Sequence, residues 1–120
     1  MAFKVKTSAD RVYEIPYLDG STIKVKPLTN TENTKLRKRH TTIKPSRSGP
    51  IEDPNYDTML AEKFRMCVVG WDFVDEDGNA YPCNEETKND FYDKNNSDAL
   101  DILKAIDDLK ASDLKVQEKN

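Results

Sequence analysis

The segment CVVGWDFVDEDGNAYPC, residues 67–83, contains the chain's only tryptophan, Trp71, and both of its cysteines. Asp77-Gly78 near its middle predicts a tight turn, because glycine tolerates the positive φ that such turns require. The residues on either side, Trp71 to Val74 and Ala80 to Cys83, have the composition of short strands. The segment therefore predicts a central β-hairpin with Asp77 and Gly78 at its turn.

Metal binding and redox chemistry are the alternative interpretations of this segment. An EF-hand loop with Gly78 in sixth place would begin at Phe73 and end at Asn84, so both required carboxylates are missing. A structural zinc site needs four Cys or His ligands, whereas the chain has two cysteines and one histidine. The cysteine spacing matches no redox motif, and thiols stay reduced in a cytosol. We therefore expect no metal and no cofactor.

A second hairpin is predicted near the N-terminus, on either side of Asp19-Gly20. Aromatic or aliphatic residues occupy every second position before this pair and after it, at Tyr13, Ile15 and Tyr17 and at Ile23 and Val25. Such alternation around an Asp-Gly pair is typical of a hairpin. Residues 2–6, AFKVK, are expected to add a third short strand.

Two helices are predicted in the middle of the chain. Thr29 and Glu32 form a capping box that begins the first. Asp53 followed by Pro54 suits the start of the second, because proline at the first helical position loses no hydrogen bond. An apolar stripe then continues to Val68, and Gly70 is expected in the left-handed conformation that ends many helices.

Two further helices are predicted after the central hairpin. Asn84 caps the third, and Glu85 and Glu86 in its first turn favour the positive end of the helix. Ser97 is expected to cap the fourth. Its apolar residues recur at three- and four-residue spacing, at Ala99, Leu100, Ile102, Leu103, Ile106 and Leu109.

The expected fold class is a small α+β domain over residues 1–111, in which antiparallel hairpins, one N-terminal and one central, pack with about four helices. Proline, serine and glycine residues between 45 and 50 predict a flexible internal loop at about residues 41–53. Residues 112–120 are polar and are predicted to form a C-terminal tail that frays.

Composition and charge narrow the classes of function. Leu, Ile, Val and Phe supply 25 of the 120 residues, so the core must be small. Residues 1–60 carry 11 basic and 7 acidic groups, net +4, and residues 61–120 carry 8 and 15, net −7. Opposite charges of this kind favour self-association. No run of signal-peptide or membrane-span length occurs, so we expect a cytosolic protein and no membrane partner.

Catalysis and nucleic-acid binding find little support in the sequence. No nucleophile elbow, phosphate-binding loop, dinucleotide fingerprint or zinc-protease motif occurs, so we expect no catalytic residues and no enzymatic activity. Nucleic acid is disfavoured as a partner by the pI of about 5.2 and by the absence of aromatic residues between positions 18 and 55. A basic patch nevertheless has the density to neutralise several phosphates or an acidic protein surface. It comprises Lys35, Arg37, Lys38 and Arg39.

Protein partners are the better match. Aromatic residues concentrate around the central hairpin, and such residues often anchor interfaces, although in a chain this poor in aliphatic residues they also build the core. The apolar stripe of the last helix must face a sheet, another copy or a client helix. The candidate partner-binding residues are Trp71, Phe73, Tyr81, Phe91, Leu103 and Ile106.

The order of these elements resembles the tail assembly chaperones of long-tailed bacteriophages. A hairpin ending in IKVKPLT, residues 23–29, precedes a charged helix and then an amphipathic helix that runs into VVGWDFVDEDGNAYPCNEET, residues 68–87. The resemblance is carried by Gly70-Trp71, the Asp77-Gly78 turn, Pro82 and the acidic helix start at Glu85-Glu86. It covers about residues 11 to 110.

This resemblance implies a non-enzymatic protein of the infected cell's cytoplasm. Members of that family bind the helical tape-measure protein, keep it soluble and help tail-tube subunits assemble around it, and they are usually absent from the finished virion. The expected partners are therefore a tape-measure protein and a tail-tube protein, with self-association as a further expectation. The alternative is a small structural component of the virion, such as a head–tail connector or a tail-completion protein.

Overall fold

The computed structural model describes residues 12–119, and the side chains of residues 12–109. The described chain is an α+β fold with two small antiparallel sheets and four helices. The strands are β1 (Tyr13–Pro16), β2 (Thr22–Val25), β3 (Thr41–Lys44), β4 (Ile51–Pro54) and β5 (Val68–Trp71). The helices are α1 (Asn30–Arg39), α2 (Tyr56–Cys67), α3 (Glu85–Lys94) and α4 (Asn96–Lys119), with a short 3₁₀ turn at Leu18–Gly20.

The larger sheet confirms the N-terminal hairpin. β1 pairs antiparallel with β2 in the register Tyr13 to Val25, and β2 pairs with β5, so the strand order is β1-β2-β5. Asp19 and Gly20 both have positive φ, 59° and 77°, at the connection between the first two strands. Glycine adopts this conformation without cost, whereas Asp19 is one of the few residue types that tolerate it.

The core lies where β2 and β5 meet α2 and α4. Alternate residues of β2, Ile23 and Val25, are fully buried, as are Phe64 and Cys67 of α2. The remaining buried residues come from α1, β5, α4 and the connection between β2 and α1, and are Leu28, Leu36, Val68, Ala99, Ile102, Leu103 and Ile106. Leu36 is the one buried residue of α1, which explains how a helix with a single large apolar residue is held against the domain.

A partly buried hydrogen bond joins the first hairpin to the last helix. The Tyr17 hydroxyl donates to Asp98 Oδ1 over 2.7 Å, although the two residues are 81 positions apart. Burial of the phenol, and then the hydrogen bond to Asp98, raise the pKa of Tyr17 well above its usual range. The phenol therefore stays protonated and remains a donor at any physiological pH.

The helix caps agree with the sequence in two cases and differ in a third. Capping boxes are present at Thr29 with Glu32 and at Asn84 with Thr87. The cap of α2, however, is Asn55 and not Asp53, because Pro54 belongs to β4. The C-terminus of α2 also differs from the prediction. Gly70 does not end the helix in a left-handed conformation, and the chain passes directly from Cys67 into β5.

The loop expected at about residues 41–53 is instead a second hairpin. β3 and β4 pair antiparallel, with Thr41 opposite Pro54 and Lys44 opposite Ile51, and Lys44 Nζ lies 2.7 Å from Asp53 Oδ2. The prolines, serine and glycine that suggested a loop form only its tip. The sequence prediction was wrong here because each strand has only one isoleucine and no buried face, so no apolar alternation marks it.

The last helix is longer than predicted, and the predicted N-terminal strand lies in a part of the chain that the structure does not describe. α4 begins at Asn96, one residue before the expected cap Ser97, and continues to Lys119, so residues 112–119 are helical where a fraying tail was predicted. Good helix formers without proline or glycine allow this extension. The third strand predicted at residues 2–6 lies outside the described residues.

Leu103 and Ile106 belong to the core and not to an accessible surface, which corrects their assignment as partner-binding residues. We predict that Ile106→Ala lowers the free energy of unfolding by about 2–5 kcal/mol, because it leaves a cavity at a site that is 2% exposed. The matched change Leu100→Ala on the same helix, at a site 40% exposed, should cost about 1 kcal/mol or less. Urea denaturation measures both, and equal effects would contradict the assignment.

Candidate functional site

The predicted turn at Asp77 and Gly78 is confirmed, and Asp75 organises it. The carboxylate of Asp75 accepts hydrogen bonds from the backbone N–H groups of Asp77 and Asn79, both over 2.9 Å. Its own N–H donates to the carbonyl of Asn79 over 2.8 Å, and Gly78 has φ 83°. The acidic side chains of the tip, including Glu76, are exposed. An aspartate two residues before the Asp-Gly pair is a recognisable signal for this arrangement that the sequence reading missed.

The central hairpin has fewer paired residues than predicted. Its two sides are joined by one bridge, between Val74 and Ala80, and by a hydrogen bond of 2.9 Å from the Tyr81 N–H to the Phe73 carbonyl. The strand predicted at residues 71–74 is displaced toward the N-terminus, because β5 uses Val68–Trp71 to pair with β2. The segment after Trp71 therefore leaves the sheet and folds back on itself.

Aromatic rings hold this segment in place. Trp71 lies between Phe73 and Tyr81, with ring centroids 5.1 and 5.7 Å apart and nearly parallel planes. The Trp71 indole Nε1–H donates to the Tyr81 carbonyl over 2.6 Å, so the ring also satisfies a polar group of the turn. Phe91 of α3 contacts both Trp71 and Phe73, at 5.5 and 5.6 Å. We call Trp71, Phe73, Tyr81 and Phe91 the aromatic stack.

The structure thus brings together four of the six predicted partner-binding residues and excludes the other two. The aromatic stack is partly buried and packs against the core, and Phe91 is stacked on Phe64 with 5.7 Å between ring centroids. Leu103 and Ile106 are 4% and 2% exposed and face the interior. The stack therefore has a structural role on its inner side, and only its outer rim reaches the surface.

Two exposed aliphatic side chains that the sequence reading did not single out directly follow, in the chain, two rings that contact each other. Tyr17 and Phe73 have ring centroids 6.1 Å apart, and the residues that follow them, Leu18 and Val74, are 66% and 62% exposed. The exposed acids of the turn come directly after Val74. We call Leu18 and Val74, together with the partly exposed rings that precede them, Tyr17 and Phe73, the apolar strip, and the acidic turn begins directly after Val74.

The basic patch lies on α1, and its residues have different environments. Lys35, Arg37 and Lys38 are exposed, and none of them forms an ion pair with another described side chain. Arg39 instead donates to Glu62 of α2, and this hydrogen bond holds the pKa of the Glu62 carboxyl below its usual range. The patch therefore keeps three cations outside any ion pair among the described side chains, and two of them, Arg37 and Lys38, lie in the last turn of α1, where positive charge is favourable.

His40 continues the contact between α1 and α2. Its ring nitrogens lie 2.9 Å from Thr58 Oγ1 and 3.2 Å from Glu62 Oε1. Although a hydroxyl, an imidazole and a carboxylate in series resemble a catalytic triad, Glu62 is already committed to Arg39. The arrangement therefore explains how the first helix is fastened to the second.

An open cleft between α2 and α3 has a structural explanation. Its volume is about 430 Å³, and it is lined by Met66 and four charged residues, Glu62, Arg65, Glu85 and Lys88. Lys88 Nζ donates to the carbonyl oxygens of Arg65 and Val68, each over 2.9 Å, and so satisfies the C-terminal end of α2. Ligand pockets are mostly apolar, so this charged cleft does not resemble one. The sequence reading missed this function of Lys88.

Among the side chains of residues 12–109, the thiols and acids show no arrangement suited to redox or metal chemistry. Cys67 is fully buried, and burial raises the pKa of its thiol to about 11. Burial also raises the pKa of Cys83. High thiol pKa values mean little thiolate, the reactive form, at neutral pH. Within residues 12–109, no three His, Cys, Asp or Glu side chains come close enough to hold a metal ion.

No protein-family model, curated protein or solved structure matches this chain. In the part of the chain that the structure describes, every helix is too short or too polar to cross a membrane. The function must therefore be inferred from the residues and the surface they form.

We predict that Asp75→Ala lowers the free energy of unfolding by about 1–3 kcal/mol, because two backbone N–H groups of the turn lose their acceptor. Asp77→Ala removes the same charge two residues away but no side-chain acceptor, and it should change the stability by about 0.5 kcal/mol or less. Thermal or urea denaturation of both variants tests this difference. Similar losses in both would mean that the charge of the turn, and not the geometry of Asp75, matters.

Proposed function

We propose that this chain is a tail assembly chaperone of long-tailed bacteriophages, a non-enzymatic protein that binds the tape-measure protein and assists tail-tube assembly around it. It acts in the cytoplasm of the infected host and is absent from the finished virion. The proposal begins from the resemblance carried by residues 23–29 and 68–87. The tail-tube protein is the second expected partner.

The apolar strip is the observation that carries the proposal. Leu18 and Val74 expose more than half of their side chains, and each directly follows a ring, Tyr17 or Phe73, that is fixed by packing against another ring. Rigid aromatic and aliphatic groups make suitable anchors, because little side-chain entropy is lost when a partner covers them. A helical client could therefore place an apolar face on this strip without unfolding the domain.

Charge supports the same client class. The acidic turn beside the strip presents Asp75, Glu76 and Asp77, which can attract basic residues that flank the apolar face of an amphipathic helix. The free cations of α1 give the surface a second charged region of opposite sign. Charged borders of this kind keep a complex soluble while its apolar part is covered.

The proposal predicts that coexpression raises the soluble yield of the tape-measure protein of the same phage, and that the two copurify. The double variant Leu18→Glu/Val74→Glu should lose most of this effect, because it places charges on the apolar strip without touching the core. Ile51→Glu is the matched control: its site is 53% exposed but lies on β4, away from the strip, and it should act like the wild type.

Three results would contradict the proposal. The first is an unchanged client yield with no copurification. The second is an equal loss of yield with the double variant and the control, which would remove the apolar strip as the site. The third is detection of this chain in purified particles by mass spectrometry at the level of the structural proteins, because that result favours a connector or a tail-completion protein.

A further inference from the structure

The hairpin of β3 and β4 forms a sheet of only two strands, so each strand has an edge without a strand neighbour among residues 12–119. Its apolar side chains are exposed, with Ile43 at 67% and Ile51 at 53%. Unpaired strand edges offer rows of N–H and C=O groups that can bind another strand. The two edges of this hairpin differ in the number of outward backbone N–H groups.

The pairing register shows which backbone groups point outward. The Asn55 N–H donates to the His40 carbonyl over 2.7 Å, and this pair has the same register as Thr41 opposite Pro54. In an antiparallel ladder, hydrogen-bonded and non-hydrogen-bonded pairs alternate. Positions 40, 42 and 44 therefore face β4, whereas positions 41, 43 and 45 direct their backbone groups away from it.

Proline blocks one edge and leaves the other open. On β4 the outward positions are 50, 52 and 54, and two of them, Pro50 and Pro54, have no N–H to donate. On β3 the outward positions 41 and 43 are Thr41 and Ile43, which both have an N–H and a C=O, and only Pro45 lacks the donor. The outward edge of β3 is therefore the one that can accept a further strand.

We propose that β3 pairs antiparallel with β3 of a second copy of this chain, with Ile43 opposite Ile43 on a two-fold axis. In this register the two Ile43 residues exchange N–H···O=C bonds in both directions. The Thr41 N–H of each copy donates to the Pro45 carbonyl of the other. The four-stranded sheet that results has Ile43 side chains in contact at its centre, which removes two exposed isoleucines from water.

Charge favours a second copy over other occupants of this edge. β3 carries one charged side chain, Lys44, and Asp53 already neutralises it. Glu52 lies opposite Ile43 and therefore on the same face, so a polyanion approaching Ile43 meets a negative charge. Two identical edges meet without repulsion, because this register places each Lys44 opposite the uncharged Thr42 of the other copy.

The geometry also limits the size of the assembly. After β3 is paired, the remaining edges of the new sheet are the two proline-bearing β4 strands, so growth stops at two copies. A four-residue edge covers much less area than a standard interface, and the dimer should therefore be weak and depend on concentration. This inference does not rest on the proposed chaperone function, because the apolar strip and the β3 edge consist of different residues.

Sedimentation over a concentration series from micromolar to millimolar tests the proposal, with Ile43→Lys and Ile51→Glu as a matched pair. Each variant introduces a charge opposite to that of its cross-strand neighbour, Glu52 or Lys44, so the hairpin itself should be kept. Ile43→Lys places two like charges on the two-fold axis and should raise the dimer dissociation constant by about tenfold or more. Ile51→Glu should leave it unchanged.

Amide hydrogen exchange of the wild type gives a second readout at the same concentrations. The Ile43 N–H should gain protection as the dimer fills, whereas the Glu52 N–H on the opposite edge should not. The proposal is overturned if the wild type stays monomeric at millimolar concentration. It is also overturned if both variants weaken the dimer equally, or if a dimer forms without protection of Ile43.

Discussion

The packing of Trp71 is the interaction on which the rest of this structure depends. Its backbone belongs to β5 and pairs with Ile23, its ring lies between Phe73 and Tyr81, and its indole N–H donates to the Tyr81 carbonyl. One residue therefore joins the sheet, both sides of the central turn and, through Phe91, helix α3. In a chain with 25 Leu, Ile, Val and Phe residues in 120, large rings bury area that aliphatic side chains cannot supply.

The domain therefore has a buried core, which is mostly aliphatic, and an aromatic stack beside it. The two meet where Phe64 of the core is stacked on Phe91. Side-chain hydrogen bonds satisfy backbone groups outside the core. The Asp75 carboxylate accepts from a backbone N–H of the turn, and Lys88 donates to a carbonyl oxygen at the end of α2. Because the rings are fixed from the inside, their outer rim and the neighbouring Leu18 and Val74 are presented to solvent in a defined arrangement. That arrangement is the physical basis of the proposed client surface.

The fold class, the N-terminal hairpin, the Thr29–Glu32 capping box and the Asn84 cap followed from the sequence, because turn residues and caps act over three or four positions. Predictions failed where distant residues compete. Val68–Trp71 forms a strand because β2 offers a partner, which shifted the expected central strands. Strands β3 and β4 have one isoleucine each and no buried face, so alternation cannot reveal them. For the site, the sequence showed which aromatic residues cluster, but only packing distinguishes Phe91 in the stack from Leu103 and Ile106 in the core.

Residues 67–83 thus fold back on themselves around the Trp71 ring, and neither a metal nor a disulfide is needed to explain this arrangement. Hydrogen exchange of the Trp71 indole N–H tests this account most directly, because that one proton reports the bond that closes the turn onto the ring. The account predicts exchange at least a hundredfold slower than for a free indole, on the order of the factor that about 2.7 kcal/mol of local stability provides. Exchange at the rate of a solvent-exposed tryptophan, in a protein that is otherwise folded, would contradict it.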